Sequence, residues 1–331
     1  QSGDFDTAEI DQTGENNNSG VTQTGDVNTA LVGQSGVGNN SGVLQSSGLN
    51  RAIVNQGVGS SNNSVITQGG LGINEANVLQ SGNANQSTVS QGGTLNDVGD
   101  ADNAVVRGVI QSGNNNTSNI TQAGGSQEAE VLQSGDRNTS SIDQGGATGL
   151  LHDAVVTQSG DDNRSTVLQR GQRADARVTQ GSGDRNTASI DQGRDRTGLF
   201  DGGFGEDQDA TIRQSGSDNE GYVTQRGEDQ LAFVDQIGDR NFASVDQGGN
   251  NGEDHTASVT QRGSDNDAFV NQRGDNQDAT VLQNGNFNYA SVQQSGSDHV
   301  ASVSQYSSNN NATVNQSGTG HTAVVVQGVA P

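Results

Sequence analysis

The apolar residues of this chain alternate with polar ones over short segments, and the segments recur. In Ala279-Thr280-Val281-Leu282-Gln283, the residues Ala279, Val281 and Gln283 would share one face of an extended strand, because side chains alternate between the two faces. Aligned on that Gln, the chain holds 27 copies from Gln12 to Gln327, and 19 of the 26 spacings are eleven residues. Val or Ile stands two positions before the Gln in all 27 copies, and Gly two positions after it in 21. Constraint thus falls at offsets −6, −4, −2 and 0. That period of two predicts strands of about seven residues with one buried face. The Gly-, Ser-, Asn- and Asp-rich residues between them predict turns.

Alternate copies differ. Counted from Gln12, the odd copies carry Ala at −4, with Arg107 the exception, while the even copies carry Ser from Ser19 to Ser165 and later mostly Ala. Every even copy has Asn at −6, and the odd copies vary there among Asn, Gln and His. The unit is therefore two strands and two turns, about 22 residues, which is one coil of a β-solenoid. The expected fold is all-β: a β-solenoid of stacked strand-turn-strand coils, with odd strands on odd and even on even in two parallel, in-register sheets. Residues 1–331 read as a single repeat domain of about 13.5 coils, ~65 Å long at ~4.8 Å per coil.

Stacking solves the problem of burying an amide. A buried Gln or Asn needs hydrogen-bond partners, and the same residue one coil above and below supplies them as a ladder. The core ladder is expected to include Gln12, Gln23, Gln34, Gln45, Gln283, Gln294, Gln305, Gln316 and Gln327, with Asn17, Asn39, Asn62, Asn288 and Asn310. Val292, Val303, Val314 and Val325 supply apolar contact beside them. Longer spacings follow Gln91, Gln144, Gln192 and Gln247, adding 9, 3, 11 and 3 residues, always after an even strand. They are expected to decorate one edge. Gly-Asp-Arg-Asn recurs at 135–138, 183–186 and 238–241, which suggests duplication of a four-strand block. The aromatics of the repeats fall at odd offsets or in turns, so none is expected inside; Phe200 and Phe204 lie in an insertion.

Composition narrows the function. Hydrophobic residues are 27%, Cys, Met and Trp are absent, and Arg supplies all 15 basic side chains against 39 acidic ones, a net charge of −24. There is no thiol chemistry, no Cys-ligated zinc and no run approaching the ~20 apolar residues of a membrane span. No signal peptide is visible, so the chain is cytosolic or already processed. The charge disfavours nucleic acid and anionic lipid as partners. Residues 16–74 carry only Asp26 and Arg51, and residues 297–331 only Asp298 apart from His. These charge-poor stretches toward the two ends, with no Pro before Pro331 to blunt a bare strand edge, suggest docking ends. The expected polymerisation residues are Ile10, Gln12, Val21 and Gln23 at one end and Val314, Gln316, Val325 and Gln327 at the other.

The recurring pattern Ser/Ala-x-Val-x-Gln-x-Gly-x-x-Asn-x-Ala resembles the repeat of the curlin family, which builds curli, the extracellular amyloid fibres of bacterial biofilms. The resemblance covers essentially the whole chain. It implies a secreted subunit that polymerises at the cell surface, with itself, an outer-membrane secretion channel and a minor nucleating subunit as partners. The last copy is not basic, which resembles the major subunit more than the nucleator. The chain departs from the family in having far more than about five repeats. It also opens in mid-repeat at Gln1-Ser2-Gly3, without the family's short secretion segment, as expected of an incomplete N-terminus.

Other readings are weaker. His152, His255, His299 and His321 all stand at −6 of odd strands and read as ladder substitutions rather than a catalytic base or metal site. No non-repeating constellation suggests an enzyme, and no cofactor is implied. Arg273-Gly274-Asp275 is a chance triad in a chain where Gln-Arg-Gly recurs. Asp-rich turns could take calcium, which leaves a monomeric β-solenoid adhesin or calcium-binding surface protein as the alternative.

Overall fold

The computed structural model describes residues 1–99, 108–193 and 206–329 of the chain. Its regular structure is all β-strand, in two compact units, Gln1–Asn163 and Arg164–Pro331. Among the described residues no helix is long and apolar enough to cross a membrane.

Each unit is a parallel β-solenoid. In the first, the odd strands Thr7–Gln12, Thr29–Gln34, Arg51–Ser60, Glu75–Asn83, Val109–Asn114, Glu128–Ser134 and Asp153–Ser159 stack in one sheet. The even strands Asn18–Thr24, Asn40–Ser46, Asn63–Gln68, Gln86–Thr94, Thr117–Gly125 and Thr139–Leu150 stack in the other. The second unit repeats the scheme, and three of its strands run unbroken through a turn from even to odd sheet: Phe242–Arg262, Asp267–Asn284 and Tyr289–Gln305. Register is residue for residue, as in Ala30↔Ala52, Val32↔Val54 and Gln34↔Gln56. The offsets singled out by the period of two are the buried ones: Ala52, Val54 and Gln56 are enclosed while Ile53 and Asn55 face outward.

The aromatics lie outside, as their offsets require. Tyr222, Phe242, Phe269 and Tyr289 form a column on the outer face of the even sheet, with centroids 5.7, 5.3 and 5.7 Å apart. Phe200 and Phe204 fall outside the described residues.

Two features differ from the expectation. The nine extra residues after Gln91 do not extend a turn. Asp97 pairs with Glu75 and Glu128, Val98 pairs with Ala76, and Val109 then resumes the same odd strand against Val78 and Val131. Val98, fully buried, therefore takes the −4 place assigned to Arg107, which lies outside the described residues. The chain leaves this strand midway and returns to it. The second difference is at −6 of the odd strands, where Asp6 and Ala174 also stand. Asp6 Oδ1 accepts from Asn28 N at 2.9 Å, so a carboxylate does there what an amide does elsewhere.

Turns carry two left-handed residues. One is the Gly at +2, as at Gly36 and Gly82, with φ +104° and +92°. The other, usually at +4, is mostly not Gly: Asn16, Leu49, Ser61, Arg137, Asp218 and Asp265 have φ between 56° and 62°. A non-Gly residue there is uncommon and bears a backbone cost.

Candidate assembly site: amide columns and end strands

The inward Gln residues form two unbroken columns within each unit. In the first unit Nε2 of Gln23 donates to Oε1 of Gln45 at 2.9 Å, Gln45 to Gln68 at 2.9 Å and Gln68 to Gln91 at 2.9 Å. Gln12 donates to Gln34, and Gln34 to Gln56 at 2.7 Å. In the second unit Gln283 donates to Gln305 at 3.0 Å, Gln305 to Gln327 at 2.8 Å and Gln294 to Gln316 at 2.9 Å. Every one of these donors lies on the lower-numbered coil.

The second amide hydrogen does work that repetition alone does not reveal. Gln45 Nε2 also reaches Thr29 O at 3.0 Å, and Gln56 Nε2 reaches Asn40 O at 3.0 Å. Each Gln thus bonds along the column and across to the strand of the opposite sheet. A narrow interior filled by Val, Ala and Ser is what brings that backbone within reach.

The Asn column makes amide-to-amide rungs in places, as from Asn241 Nδ2 to Asn219 Oδ1 at 3.1 Å and from Asn266 Nδ2 to Asn241 Oδ1 at 3.0 Å, and adds a backbone bond to them. Asn17 Oδ1 accepts from Asn39 N at 2.9 Å, and Asn39 Oδ1 from Asn62 N at 3.0 Å. The freed Nδ2 ties down the turn, as Asn39 Nδ2 does on Ser35 O at 2.8 Å. Asn288 Oδ1 likewise accepts from Asn310 N at 3.0 Å, and Asn310 Nδ2 donates to the same oxygen at 3.1 Å. An Asn at this place sets the next coil on it and, as at Asn39, Asn85 and Asn116, also closes the turn.

Histidines enter the same column. His299 Nδ1 accepts from His321 N at 3.2 Å, as an Asn Oδ1 would, its Nε2 lies 3.0 Å from Ser295 O, and the two rings stack at 5.3 Å. Burial holds the His255 imidazole below its usual range and that of His152 at about 4, from 6.5. A His whose folded value is depressed stays neutral in the fold, while the unfolded chain takes up the proton. Its contribution is complete above about pH 6.5 and is lost as pH falls toward 4, roughly 2–3 kcal/mol by pH 4.5. His152→Gln should therefore reduce the loss of stability between pH 7 and 4.5 by that amount, read from urea midpoints at both values.

The Ser column is less well satisfied. Ser64, Ser87, Ser118 and Ser140 are buried with no hydrogen-bond partner for the hydroxyl. Ala188 and Ala243 hold the equivalent place later in the chain. Ser118→Ala and Ser140→Ala should each raise stability by about 1 kcal/mol, visible as a higher melting temperature.

The proposed end residues divide. Ile10 and Gln12 are exposed, and Val325 and Gln327 are half-buried. Gln23 is fully buried, because Gln1 donates to it at 2.7 Å and Ser2 N bonds its carbonyl at 2.9 Å. Val21 is half-buried; Val314 and Gln316 are buried. The side chains of Gln23, Val314 and Gln316 are therefore interior, and what strand Asn311–Thr319 leaves open is its backbone edge, paired only with Tyr289–Gln305 among the described residues.

Charge is organised coil to coil. Arg137, Arg185 and Arg240, the Arg of each Gly-Asp-Arg-Asn, pair with Asp162, Asp218 and Asp265 one coil on, each at 2.7 Å. These contacts hold Asp218 and Asp265 below the usual carboxylate range. Arg273 bonds Asp246 at 2.6 Å, so the Arg-Gly-Asp triad is part of the same lattice. Among the described residues no group of three or more His, Cys, Asp or Glu could hold a metal ion.

The curlin-associated repeat matches the chain over residues 126–160, 205–238, 227–263, 238–274, 252–282 and 274–306. No curated protein matches it.

Proposed function

We propose, for a chain that belongs to the curlin-repeat proteins, that it is a structural subunit which assembles head to tail into extracellular curli-type amyloid fibres, serving a biofilm matrix and adhesion. The observation that carries this is the in-register stack itself. Each interior coil pairs its strand backbone, and one hydrogen and the oxygen of each column Gln, with the coils on either side. A strand at the end of such a stack has half its partners, and another copy offers the missing half. Ile10 and Gln12 at one end, and Val325, Gln327 and the edge of the Gln316 strand at the other, are the surfaces that would meet. Residues 297–331 carry only Asp298 apart from His, whereas Asp4, Asp6, Glu9, Asp11 and Glu15 surround Ile10 and Gln12, so head-to-tail contact sets an acidic end against a near-neutral one and like-charge repulsion stays small. The role is structural rather than catalytic, since the core repeats the same amides in every coil. By the same family likeness, secretion would pass through an outer-membrane channel and growth would start on a minor subunit.

The test is growth from denatured, desalted chain at neutral pH without calcium, followed by thioflavin fluorescence and electron microscopy. Unbranched fibres with a ~4.8 Å axial repeat are the expected result. A soluble monomer that folds only when calcium is added would transfer the chain to the adhesin or calcium-binding reading. Thr313→Asp with Asn315→Asp, both outward on the last even strand, should slow elongation without unfolding the protein.

A further inference from the structure

The turns from even to odd strands in the first unit carry a column of bulky apolar residues: Phe5, Val27, Leu49, Ile73, Leu95 and Leu151, with Ser126 the one polar member. All are exposed, Phe5 at 86% and the others at 45–56%. They stack in coil order, since Val27 N bonds Asp4 O at 2.9 Å, Leu49 N bonds Asp26 O at 3.0 Å and Ile73 N bonds Gly48 O at 3.3 Å. All six have φ between 57° and 64°. A left-handed backbone is costly for any bulky side chain and worst for the β-branched Val27 and Ile73, whereas Asn, Asp or Gly would adopt it readily. The second unit follows that preference at all but one of its equivalent turns. They carry Arg173, Asp207, Asp229, Asp254, Asn276, Asp298 and Gly320, with φ from 50° to 71°. The first unit thus accepts both a backbone penalty and solvent exposure, coil after coil, to present an apolar ridge. Such an accumulation of strain points to function at the ridge.

We propose that this ridge is a lateral docking seam whose occupant is the same seam of a second copy. Three observations select that partner. Its residues rise by one coil each, and only another solenoid presents apolar groups at the same ~4.8 Å interval, so that two ridges interdigitate as a dry zipper. The exposed apolar area, with Leu150 added, is roughly 700 Å² per copy, so self-pairing would bury about 1,400 Å², within the range of specific stable interfaces. The residues just before the ridge are uncharged beyond Asp4 and Asp26, becoming Gly48, Gly72, Thr94 and Gly125, while the strand starts two positions after it carry Arg51, Glu75, Asp97, Glu128 and Asp153. A two-fold pairing of like surfaces therefore meets little repulsion on the turn side, and Arg51, bound to Glu75 at 2.9 Å, offsets part of the charge on the strand side. The acidic turns of the second unit would repel their own copies, which confines the seam to the first. Nothing in this pairing requires head-to-tail growth.

The chain has no Cys, so a single introduced thiol reports the contact. Ile73 is the middle member of the column and meets its own copy whether the paired solenoids run parallel or antiparallel. Full-length Ile73→Cys, oxidised in dilute solution, should give at least tenfold more disulfide-linked dimer than Asp229→Cys, which marks the equivalent turn of the second unit. Equal yields, or none from Ile73→Cys, would overturn the seam. The companion variant replaces Val27, Leu49, Ile73 and Leu95 by Asn. Because Asn tolerates the left-handed backbone, this protein should be at least as stable as wild type, yet lose paired species in sedimentation while thioflavin-monitored elongation is unchanged. If its paired species persist, the seam lies elsewhere. If the wild type floats with phosphatidylcholine vesicles, the Asn variant does not, and Ile73→Cys fails to cross-link, the ridge serves a lipid surface and self-pairing is wrong. Failure of wild-type elongation with cross-linking intact would instead count against the fibre proposal alone.

Discussion

Replacing Gln225 by Leu should destabilise the second unit by roughly 3–6 kcal/mol, since each buried polar group left unpaired costs about 1–3 kcal/mol. Gln225 is fully buried, and its amide makes four polar contacts, three acceptors sharing the two hydrogens of Nε2. It accepts from Gln192 at 2.9 Å, and its Nε2 serves Gln247 Oε1 at 3.1 Å, Asp209 O at 2.9 Å and Gln230 O at 3.0 Å. Leu has a similar volume, so the loss would be one of hydrogen bonds rather than of packing. It strands a donor on one coil and acceptors on the next, plus carbonyls of the odd sheet. Gln225→Glu separates the two roles of the amide. At neutral pH a carboxylate would face the Gln247 oxygen with no hydrogen to give, and it would sit charged in an enclosed site. Below the pH at which it protonates it regains one donor. Gln225→Glu should therefore be the less stable variant at pH 7 and recover relative to Gln225→Leu at pH 4, measured as urea midpoints of both proteins at both pH values. A Leu variant within 1 kcal/mol of wild type would mean that the amide column contributes little to stability.

Gly82→Ala should cost at least ~3 kcal/mol, combining a disfavoured backbone region with an unavoidable clash. A Cβ on Gly82 would lie 2.0 Å from the carbonyl oxygen of Gly113 on the adjoining coil and 2.8 Å from its carbon. The obstacle is backbone, so it can yield only if the two coils separate, and separation breaks the Gln80–Gln111 bond of 2.8 Å nearby. The effect should be local in hydrogen exchange, with amides of the Gln80 and Gln111 strands losing protection first. Gly42 is the matched control. It lies in a strand, faces outward, and a Cβ there meets nothing within 4 Å. Gly42→Ala should be neutral or stabilising by up to about 1 kcal/mol, because Gly weakens strand interiors. Equal losses from the two variants would show that the chain needs Gly for flexibility and not for coil spacing.

Much of this architecture was legible because stacking demands repetition. Val at −2, Gln at 0 and Asn at −6 each face their own kind one coil away, so a position under constraint repeats in the sequence and marks its face. The strands, the parallel register and the Gln columns follow from that. What repetition does not encode is the partner of a side chain outside its own column. The bond from Gln45 to Thr29 O ends on backbone, which any residue supplies. Asn39 turns its oxygen to the next backbone amide rather than to the next Asn side chain for the same reason. The left-handed residues at +4 escaped notice because Leu49, Arg137 and Asp218 share a conformation and no chemistry. The excursion after Gln91 was misplaced because spacing counts residues without saying where they leave the strand. There Asn96 and Val98 keep the −6 and −4 places, ahead of the extra residues rather than behind them.

The opposed directions of the two amide columns have an electrical consequence. An α-helix adds aligned peptide dipoles, each about 3.5 D, and its ends come to carry roughly half a charge. In the first unit each Gln turns its oxygen toward the lower-numbered coil, as Gln45 does toward Gln23. The Asn residues turn theirs the other way, Asn17 toward Asn39 on the even side and Asn28 and Asn50 toward Asn50 and Asn74 on the odd. A coil with Asn at both −6 places thus contributes two amide dipoles in one sense and two in the other, and their sum stays near zero however many such coils are stacked. Lengthening such a stack builds up no potential along its axis, so the hundredth coil would be added against the same electrostatic work as the third.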